Sequence, residues 1–516
     1  MNDNKTSKNS IVAKFAVPIS FLILFFLAAN FTDCDLVTFW KRRSHLTDLV
    51  VDMIPPDFSY IQKILLPLFY TIQMSVTGTV LGIFFALVLS PFGAANLGFP
   101  AVIRRILRIV IQILRSFPAL ILALTATFLF GLGTFAGTFA ITLYTFAIMT
   151  KLTYEDASAA DVKAYQALRA MGVSKYVAYI HGILPEIIPG FLTNALYLLE
   201  TNVRHSSILG YVGAGGIGLL LNEKISWLEY DKVGTILLML FLTVCVIEYF
   251  SRYLAALIRK EHTIKKEQAR LLLLFLAALF LICTFTLSLP DFSRTSPQTL
   301  RNMFAGFLQP DWSFFFSAAK DGLGDLLLET VCIAFIGTVI GAIVSAPLAF
   351  LNTKRFVPAP VSFLFNLVIM VIRSVPFLVY GLIFIRVSGP GAFTGVLTLA
   401  VCSIGLLTKR FTEALDALDP RPYHALLAMG VRPLPAICHS VLPQLKPVFT
   451  SIILYRFDVN IREASVLGLV GAGGIGAPLI FSMNQYAWEK AGAIMLGLIL
   501  LVWFIDMVSE KIGAGN

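Results

Sequence analysis

The sequence predicts an all-α polytopic membrane protein with about twelve transmembrane helices, built from two tandem copies of one unit. Of its 516 residues, 57% are hydrophobic and only 14% are charged, and the mean hydropathy is +0.82. Soluble domains carry roughly 25% charged residues, which argues against a large soluble protein with a buried core. Apolar runs long enough to cross a bilayer of about 30 Å recur along the chain. The second half also repeats motifs of the first.

The individual spans follow from the apolar runs. The first run is retained as a helix rather than cleaved as a signal peptide, because no small-residue cleavage site follows it at Phe31–Cys34. Less apolar runs at 134–150 and 187–204 suit helices that line a pathway. The most apolar runs cover residues 11–29, 67–89, 109–130, 233–258, 271–289 and 493–507.

The basic residues predict the orientation of the chain. Positive residues concentrate in cytoplasmic loops, which requires an even number of spans in each half, and six fits. Both termini are then cytoplasmic, and the net charge of +10 needs no nucleic-acid partner. The six cysteines are scattered, which argues against a metal site or a disulfide framework. The basic residues on which this orientation rests are Lys5, Lys8, Lys14, Arg104, Arg105, Arg108, Arg259, Lys260, Lys265, Lys266 and Arg270.

An internal duplication organises the whole chain. Arg115–Pro118 returns as Arg373–Pro376, and the seven residues VGAGGIG at 212–218 return unchanged at 470–476, both at an offset of 258. We therefore predict a first unit at 1–258, a cytoplasmic linker at 259–270 and a second unit at 271–516. Even span numbers make the repeats parallel, related by an axis along the membrane normal. Two equivalent cytoplasmic surfaces would suit a partner that is itself a symmetric dimer.

The cytoplasmic segments 155–185 and 413–443 each predict two short helices joined at a glycine. Gly172 and Gly430 would take the left-handed conformation that ends the first short helix. Pro185 and Pro443 suit the first turn of the span that follows. Such a helix–glycine–helix segment is a rigid element on which a soluble partner could act, and the alternative is an ordinary interfacial loop.

These segments resemble the coupling loop of ABC importer permeases, which begins Glu-Ala-Ala, contains a glycine and ends in Leu-Pro. In that family the loop docks into a groove of the ATP-hydrolysing subunit. The first copy departs from the pattern, with Glu155-Asp156-Ala157 at its start. The resemblance assigns ATPase coupling to Glu155, Ala157, Gly172, Pro185, Glu413, Ala414, Gly430 and Pro443.

Three further motifs resemble the phosphonate permease family: Arg-Ser-x-Pro, acid–x–Asn–x–Arg and VGAGGIG. The resemblance covers both halves and implies two fused type I, MetI-like permease units that translocate phosphonate, phosphite or phosphate. It also implies a homodimeric ATPase in the cytoplasm, an extracytoplasmic substrate-binding protein, and a place in the cytoplasmic membrane of a prokaryote. ATP and Mg would be bound by the ATPase, so no cofactor is expected in this chain. In this family selectivity rests mainly with the capture protein.

Arg115 and Arg373 are candidate pathway residues. Arg115 lies two turns beyond Arg108, so a straight helix would place it roughly 10 Å into the span. Intramembrane arginines usually face a pathway or a partner and can bind an oxyanion by bidentate hydrogen bonds. The alternative is snorkelling to the headgroups. Pro118 and Pro376 should kink their helices.

The pairs Asn202 with Arg204 and Asn460 with Arg462 are also candidates for the pathway. Glu200 and Asp458 stand four residues before the arginines, a spacing that favours an ion pair along one helix face. That pairing could be the whole role of these residues. The functional alternative is a neutralised arginine and an amide that line the route, because a pore must not hold its anion too tightly.

The glycine-rich segment after the fifth span matches G-x-G-x-x-G, but it lacks the preceding strand and the βαβ unit of a dinucleotide site. We expect instead a turn in which backbone approaches backbone. Its exposed amides could also contact an anion. The candidate pathway glycines are Gly213, Gly215, Gly216, Gly471, Gly473 and Gly474.

The chain is not expected to be an enzyme. It has no Walker A sequence, so ATP hydrolysis would lie on the partner subunit, and no catalytic constellation stands out. An autonomous secondary anion transporter is the alternative, but the acids Glu248 and Asp506 lie near helix ends. A membrane-embedded enzyme acting on phosphorylated lipid is a further one. The segments 30–63 and 290–324 are predicted to lie at the extracytoplasmic interface, where the capture protein would dock.

Overall fold

A computed structural model describes residues 19–258, 266–288, 290, 297–317 and 322–514. Within these residues the structure contains helices and no β-strand. The helices of the first repeat are α1 (Ile19–Phe31), α2 (Leu36–Lys41), α3 (Arg43–Asp52), α4 (Ile61–Gly93), α5 (Ala101–Ser116), α6 (Ala119–Phe130), α7 (Thr134–Ala159), α8 (Lys163–Ala170), α9 (Lys175–Gly182), α10 (Leu184–Leu209), α11 (Ile217–Ser226) and α12 (Tyr230–Ile258).

The second repeat follows the same order of elements. Its first helix begins inside the predicted linker, of which residues 259–265 lie outside the described residues, as do Lys5, Lys8 and Lys14. The helices are α13 (Lys266–Phe285), α14 (Pro297–Leu308), α15 (Trp312–Phe315), α16 (Leu323–Asn352), α17 (Ala359–Ser374), α18 (Phe377–Ser388), α19 (Ala392–Ala417), α20 (Arg421–Ala428), α21 (Pro433–Ala436), α22 (Leu442–Leu467), α23 (Gly476–Asn484) and α24 (Trp488–Ala514).

The predicted number of spans is confirmed. The described residues hold seven helices long and apolar enough to cross a membrane, and three bent helix pairs that pass the same test together. Two shorter apolar helices, Ile19–Phe31 and Leu276–Phe285, complete the set. Each repeat thus contributes six apolar segments, in agreement with the number derived from the basic residues.

The predicted kinks at Pro118 and Pro376 are confirmed and are sharper than expected. Helices α5 and α6 meet at 95°, and α17 and α18 meet at 87°. Proline disfavours a helical residue before it, and Phe117 is extended, with φ −92° and ψ 130°. Arg115 therefore stands in the last turn of α5, beside the break, and the two turns between Arg108 and Arg115 are helical as expected.

Contacts group the chain into two compact units, Leu49–Phe304 and Met1–Asp48 with Ala305–Asn516. Each unit contains the first helix of the other repeat, whereas the predicted limits 1–258 and 271–516 follow the duplicated sequence. In one unit, Gln73 on α4 donates to the Cys283 carbonyl of α13 at 3.0 Å. In the other, the rings of Phe21 on α1 and Phe335 on α16 lie 5.5 Å apart.

Small residues bring the central helices of each unit close together. A Cβ on Gly82 of α4 would lie 2.7 Å from Thr145 Cβ on α7, and one on Gly341 of α16 would lie 2.4 Å from Ser403 Cβ on α19. Close approach through small residues is typical of helix packing in membranes. In each unit this close approach brings a hydroxyl, that of Thr145 or Ser403, within reach of a buried asparagine side chain.

Candidate functional site

The first candidate site is the pair of predicted coupling segments, which we call the first elbow (residues 163–182) and the second elbow (residues 421–441). Gly172 has φ +84° and Gly430 has φ +82°, so the predicted left-handed turns are confirmed. Pro185 and Pro443 stand in the first turn of α10 and α22, also as predicted. The two elbows are thus both formed, and their function in coupling stays a prediction.

The first elbow folds back on the connection between α4 and α5, residues 94–100. The buried Tyr165 hydroxyl donates to the Leu97 carbonyl at 2.6 Å, and Lys175 Nζ donates to the Gly98 carbonyl. A Cβ on Gly182 would lie 2.8 Å from the Tyr165 nitrogen, so glycine permits α9 to lie against α8. Between α9 and α10 the chain bends by 69°.

The second elbow has a different shape. Its second part passes through a π-helical turn, Ile437–Val441, into α22, and Pro433–Val470 forms one span without a bend above 40°. Ser440 stands where the first elbow has Gly182. Tyr423, which matches Tyr165, packs its ring edge-on against Phe356 at 5.6 Å. The two copies of one sequence pattern therefore present different surfaces.

An aspartate stands two residues before each elbow and is held in its charged form. Asp161 accepts from the Lys163 backbone N–H at 3.0 Å, and this bond lowers the pKa of Asp161. Asp419 accepts from the Arg421 guanidinium and its backbone N–H, which lower the pKa of Asp419. Both carboxylates thus remain negative at neutral pH in front of the first short helix, where negative charge is favoured.

The remaining coupling candidates precede the elbows. The Glu155 and Glu413 side chains are exposed, near Lys151 at 3.6 Å and Arg410 at 3.3 Å respectively. Ala157 is buried, and its carbonyl accepts from Asn96 at 2.9 Å. Ala414 is partly buried against the core of its unit. The glutamates are thus available to a partner, whereas the alanines pack inside.

Arg115 and Arg373 occupy equivalent places, each half-buried in the last turn before a helix break. The aliphatic part of Arg373 lies along α19, since a Cβ on Gly405 would lie 3.0 Å from Arg373 Cγ. This contact holds the stem of Arg373 against α19.

The asparagines are fully buried between helices. Asn202 donates to Thr79 at 2.7 Å and to Thr145 at 2.8 Å. Asn460 donates to Thr338 at 2.6 Å and to Ser403 at 2.9 Å. In this conformation both amides link three helices of one unit, and neither is exposed to a pathway.

The predicted ion pairs along the helix are confirmed. Arg204 binds Glu200 at 2.6 Å, and Arg462 binds Asp458 at 2.6 Å. Arg462 also lies 3.6 Å from Asp506 on α24. These residues and the elbows stand at opposite ends of α10 and α22, roughly 25 Å apart at about 1.5 Å per residue.

The second unit holds a further ion pair that sequence reasoning missed. Arg456 is 3% exposed, donates to Glu463 at 2.8 Å and also donates to Ser403 at 3.1 Å. Its counterparts in the first repeat are Leu198 and His205. A comparison of the two halves finds only the residues that they share. An ion pair that is present in one half alone is therefore not found in this way.

The glycine-rich segments form the expected tight turns. All six candidate glycines have φ between 78° and 82°. The turn is closed on the protein itself: Gly133 donates to the Gly213 carbonyl at 3.0 Å, and the Ile217 backbone N–H donates to Thr71 at 2.9 Å. A contact of the turn with an anion stays a prediction.

The close approach extends to Gly210 and Gly468, which the sequence analysis did not single out. A Cβ on Gly210 would lie 2.2 Å from the Leu219 nitrogen, and one on Gly468 would lie 2.3 Å from the Ala477 nitrogen. These glycines are also 258 residues apart, so the repeat offers a signal for them. They allow the end of the fifth span of each repeat to pack closely against the short helix that follows it.

A short repeat before the second span of each half was also missed, because its offset is 254 rather than 258. Asp57 accepts from the Ser59 backbone N–H at 2.9 Å, and Asp311 accepts from that of Ser313 at 3.0 Å. The Asp57 N–H donates to the Asp231 carbonyl at 3.3 Å, and the Asp311 N–H donates to the Glu489 carbonyl at 3.0 Å. Each fixes the entry to the second span against the last helix of its repeat.

The chain matches one family twice, over residues 78–260 and 337–512, and the family is described as "Binding-protein-dependent transport system inner membrane component". It is 27% identical to the phosphate-import permease protein PhnE of Mycolicibacterium smegmatis over 90% of this chain and 88% of that protein. It is 34% identical to the phosphite transport system permease protein PtxC of Stutzerimonas stutzeri, over 39% of this chain and 72% of that protein.

A third relative fits the fold expected from the motifs. The probable D-methionine transport system permease protein MetI of Vibrio cholerae is 27% identical over 36% of this chain and 91% of that protein. This single-unit relative corresponds to less than half of the chain, as a fused double unit requires. The chain therefore belongs to the family of binding-protein-dependent transport system inner membrane components, and it carries two such units in one multi-pass inner membrane polypeptide.

Proposed function

We propose that this chain is the permease of an ATP-binding cassette importer that translocates phosphonate or a related phosphorus oxyanion, phosphite or phosphate. The observation that carries the proposal is the presence in each unit of a folded elbow and of an arginine at a helix break. The relatives named for phosphate import and phosphite transport support the substrate class. The elbows and both termini lie in the cytoplasm in this proposal.

Hydrolysis of ATP takes place on a separate homodimeric ATPase that binds ATP and Mg, and this chain supplies no catalytic residue. Each elbow docks on one ATPase subunit. The exposed carboxylates Glu155 and Glu413 and the turns at Gly172 and Gly430 belong to the docking surface. A substrate-binding protein delivers the oxyanion on the other side, next to the segments that contain Asp57 and Asp311.

Arg115 and Arg373 bind the oxyanion during its passage. A guanidinium matches a tetrahedral oxyanion with two parallel hydrogen bonds. Because each arginine stands at a helix break rather than inside a straight helix, a change in the angle between the two helices would move the guanidinium. Arg204 and Arg462 are neutralised by their carboxylates, so they contribute little net charge to the route.

An autonomous secondary transporter is the rival function, and it would require a membrane carboxylate that is free to exchange a coupling ion. The structure shows more buried carboxylates than the sequence analysis considered. Glu200, Glu248 and Glu463 pair with Arg204, Arg252 and Arg456 respectively. A carboxylate held in an ion pair with an arginine is not free to exchange a coupling ion, so these pairs favour the importer.

Arg115→Gln and Arg373→Gln are expected to lower oxyanion uptake roughly tenfold to a hundredfold each, because a hydrogen bond to a charged group contributes about 1.5–3 kcal/mol and 1.4 kcal/mol is a factor of ten. Uptake of labelled phosphonate, phosphite and phosphate is measured in vesicles that contain this chain, its cognate ATPase and its capture protein. Co-purification of the ATPase should not change.

Arg105→Gln is the matched control, since Arg105 is an exposed residue of the same helix α5 and should leave uptake unchanged. Equal uptake by wild type and both pathway variants would remove the arginines from the route. Uptake that persists without ATP or ATPase would instead support the secondary transporter.

Gly172→Val and Gly430→Val are expected to uncouple the ATPase from transport. A side chain in the left-handed region costs about 1–2 kcal/mol, more for a β-branched residue, so the turn between the short helices should rearrange. The measurement is the amount of oxyanion imported per ATP hydrolysed, which we expect to fall about tenfold.

Gly172→Asn and Gly430→Asn test the backbone explanation, because asparagine tolerates the left-handed conformation. Among the described residues, no atom beyond the adjacent residues lies within 4 Å of a Cβ at either glycine, so side-chain size alone disturbs no packing there. Retained coupling in the asparagine variants would support the proposal, and loss equal to that of the valine variants would contradict it.

A further inference from the structure

The two elbows differ in how they are attached to the membrane helices. In the first, the connection at residues 94–100 receives hydrogen bonds from both short helices, through Tyr165 and Lys175. Lys175 Nζ also lies 5.9 Å from the Phe99 ring, and the Tyr176 ring stacks on Phe92. Helix α9 is thereby joined to the connection and, through Phe92, to the last turn of α4.

The second elbow lacks the matching attachments among the described residues. Pro433 replaces Lys175 and has no side-chain donor, and Leu434, which replaces Tyr176, is 73% exposed. The equivalent connection of the second repeat, residues 353–358 between α16 and α17, is attached at another place. Its Arg355 donates to the Leu418 carbonyl at 2.8 Å and to the Asp416 carbonyl at 2.6 Å. These bonds hold it to the end of α19, ahead of the elbow.

In the first repeat the connection continues into α5, and Arg115 stands at the far end of this helix, beside the break. Arg108 of α5 donates to the Gly93 carbonyl at 2.9 Å and lies 5.1 Å from the Tyr154 ring. These contacts fix the middle of α5 to the ends of α4 and α7. Since α5 has 16 residues, it spans roughly 24 Å at about 1.5 Å per residue, and Arg115 stands at its far end.

We propose that the elbows have unequal roles, and that movement of the ATPase reaches the membrane helices mainly through the first elbow. Tyr165 and Lys175 act as positioning residues: they make the elbow, the connection and α5 move as one body, so that displacement of the elbow changes the break beside Arg115. The second elbow docks on its ATPase subunit, but its contact with the equivalent connection rests on apolar packing, such as that of the Tyr423 ring on Phe356, so it moves that connection less. This inference rests on the proposed function.

The test compares Tyr165→Phe with the matched change Tyr423→Phe in the full chain with its cognate ATPase and capture protein in vesicles. Each change removes one hydroxyl at equivalent positions of the repeat. A neutral hydrogen bond contributes about 0.5–1.5 kcal/mol, so the oxyanion imported per ATP hydrolysed should fall by a factor of about 2–10 in Tyr165→Phe. Tyr423→Phe should match wild type, and both variants should co-purify with the ATPase.

Amide hydrogen exchange provides a readout that does not depend on transport. Exchange of the amides at 94–99 should accelerate in Tyr165→Phe, whereas exchange at the equivalent connection should be unchanged in Tyr423→Phe. If Tyr165→Phe does not fold, Lys175→Met replaces it, with the same expected loss. Equal effects of the Tyr165 and Tyr423 changes would overturn the inference alone, whereas failure of the wild type to import with ATP would overturn the proposed function as well.

Discussion

Glu463→Ala is expected to lower the free energy of unfolding by about 3–5 kcal/mol, because it leaves Arg456 as a buried charge without its counter-ion. Arg456 cannot lose its proton, and at 3% exposure it has little access to water. Its remaining partner is the neutral hydroxyl of Ser403. Unfolding in mixed detergent micelles, followed by circular dichroism, measures the change.

The first repeat supplies a control for this prediction. The double variant Arg456→Leu with Glu463→His places in α22 the residues that α10 has at the same positions, Leu198 and His205. Replacing a whole buried ion pair by well-packed residues is often neutral or stabilising, and Ser403 keeps its bond from Asn460. We expect the double variant to regain most of the lost stability. A single variant as stable as wild type would show that the pair does not stabilise the unit.

Much of the fold was predictable because the duplication doubles each weak signal. The spans, the left-handed turns at Gly172 and Gly430 and the ion pairs of Arg204 and Arg462 all depend on local spacing, and spacing is visible in a sequence. Repetition at a constant offset then separates a pattern from chance. The structure confirms these features with the residues expected.

The features that escaped prediction depend on tertiary contacts or on differences between the halves. No local pattern indicates that α1 packs with the second repeat, or that Gln73 binds α13. The buried positions of Asn202 and Asn460 are set by threonine and serine hydroxyls on neighbouring helices. The elbows share a sequence pattern, yet Gly182 permits a close approach at a place where the second elbow has Ser440.

Gly210→Ala and Gly468→Ala are expected to be among the most damaging single-methyl changes in the chain. The added Cβ would lie 2.2 Å and 2.3 Å from backbone nitrogen atoms, and backbone cannot rotate away as a side chain can. Overpacking costs about 1–3 kcal/mol and sometimes more, so we expect about 3 kcal/mol or more here. Unfolding in detergent micelles and the yield of folded protein measure the effect.

Gly190→Ala is the matched control, because Gly190 lies in α10, the helix that ends just before Gly210, and among the described residues no atom outside its own helix turn lies within 4 Å of its Cβ. Alanine is favoured over glycine inside a helix by about 0.5–1 kcal/mol, so this variant should be as stable as wild type or slightly more stable. Both changes add one methyl group, one inside α10 and one at the residue that follows it. Comparing the two variants therefore separates the effect of the steric clash from the effect of helix propensity. If Gly210→Ala unfolds like Gly190→Ala, the span and the short helix after it can separate freely, and the turn at 213–216 does not fix them together.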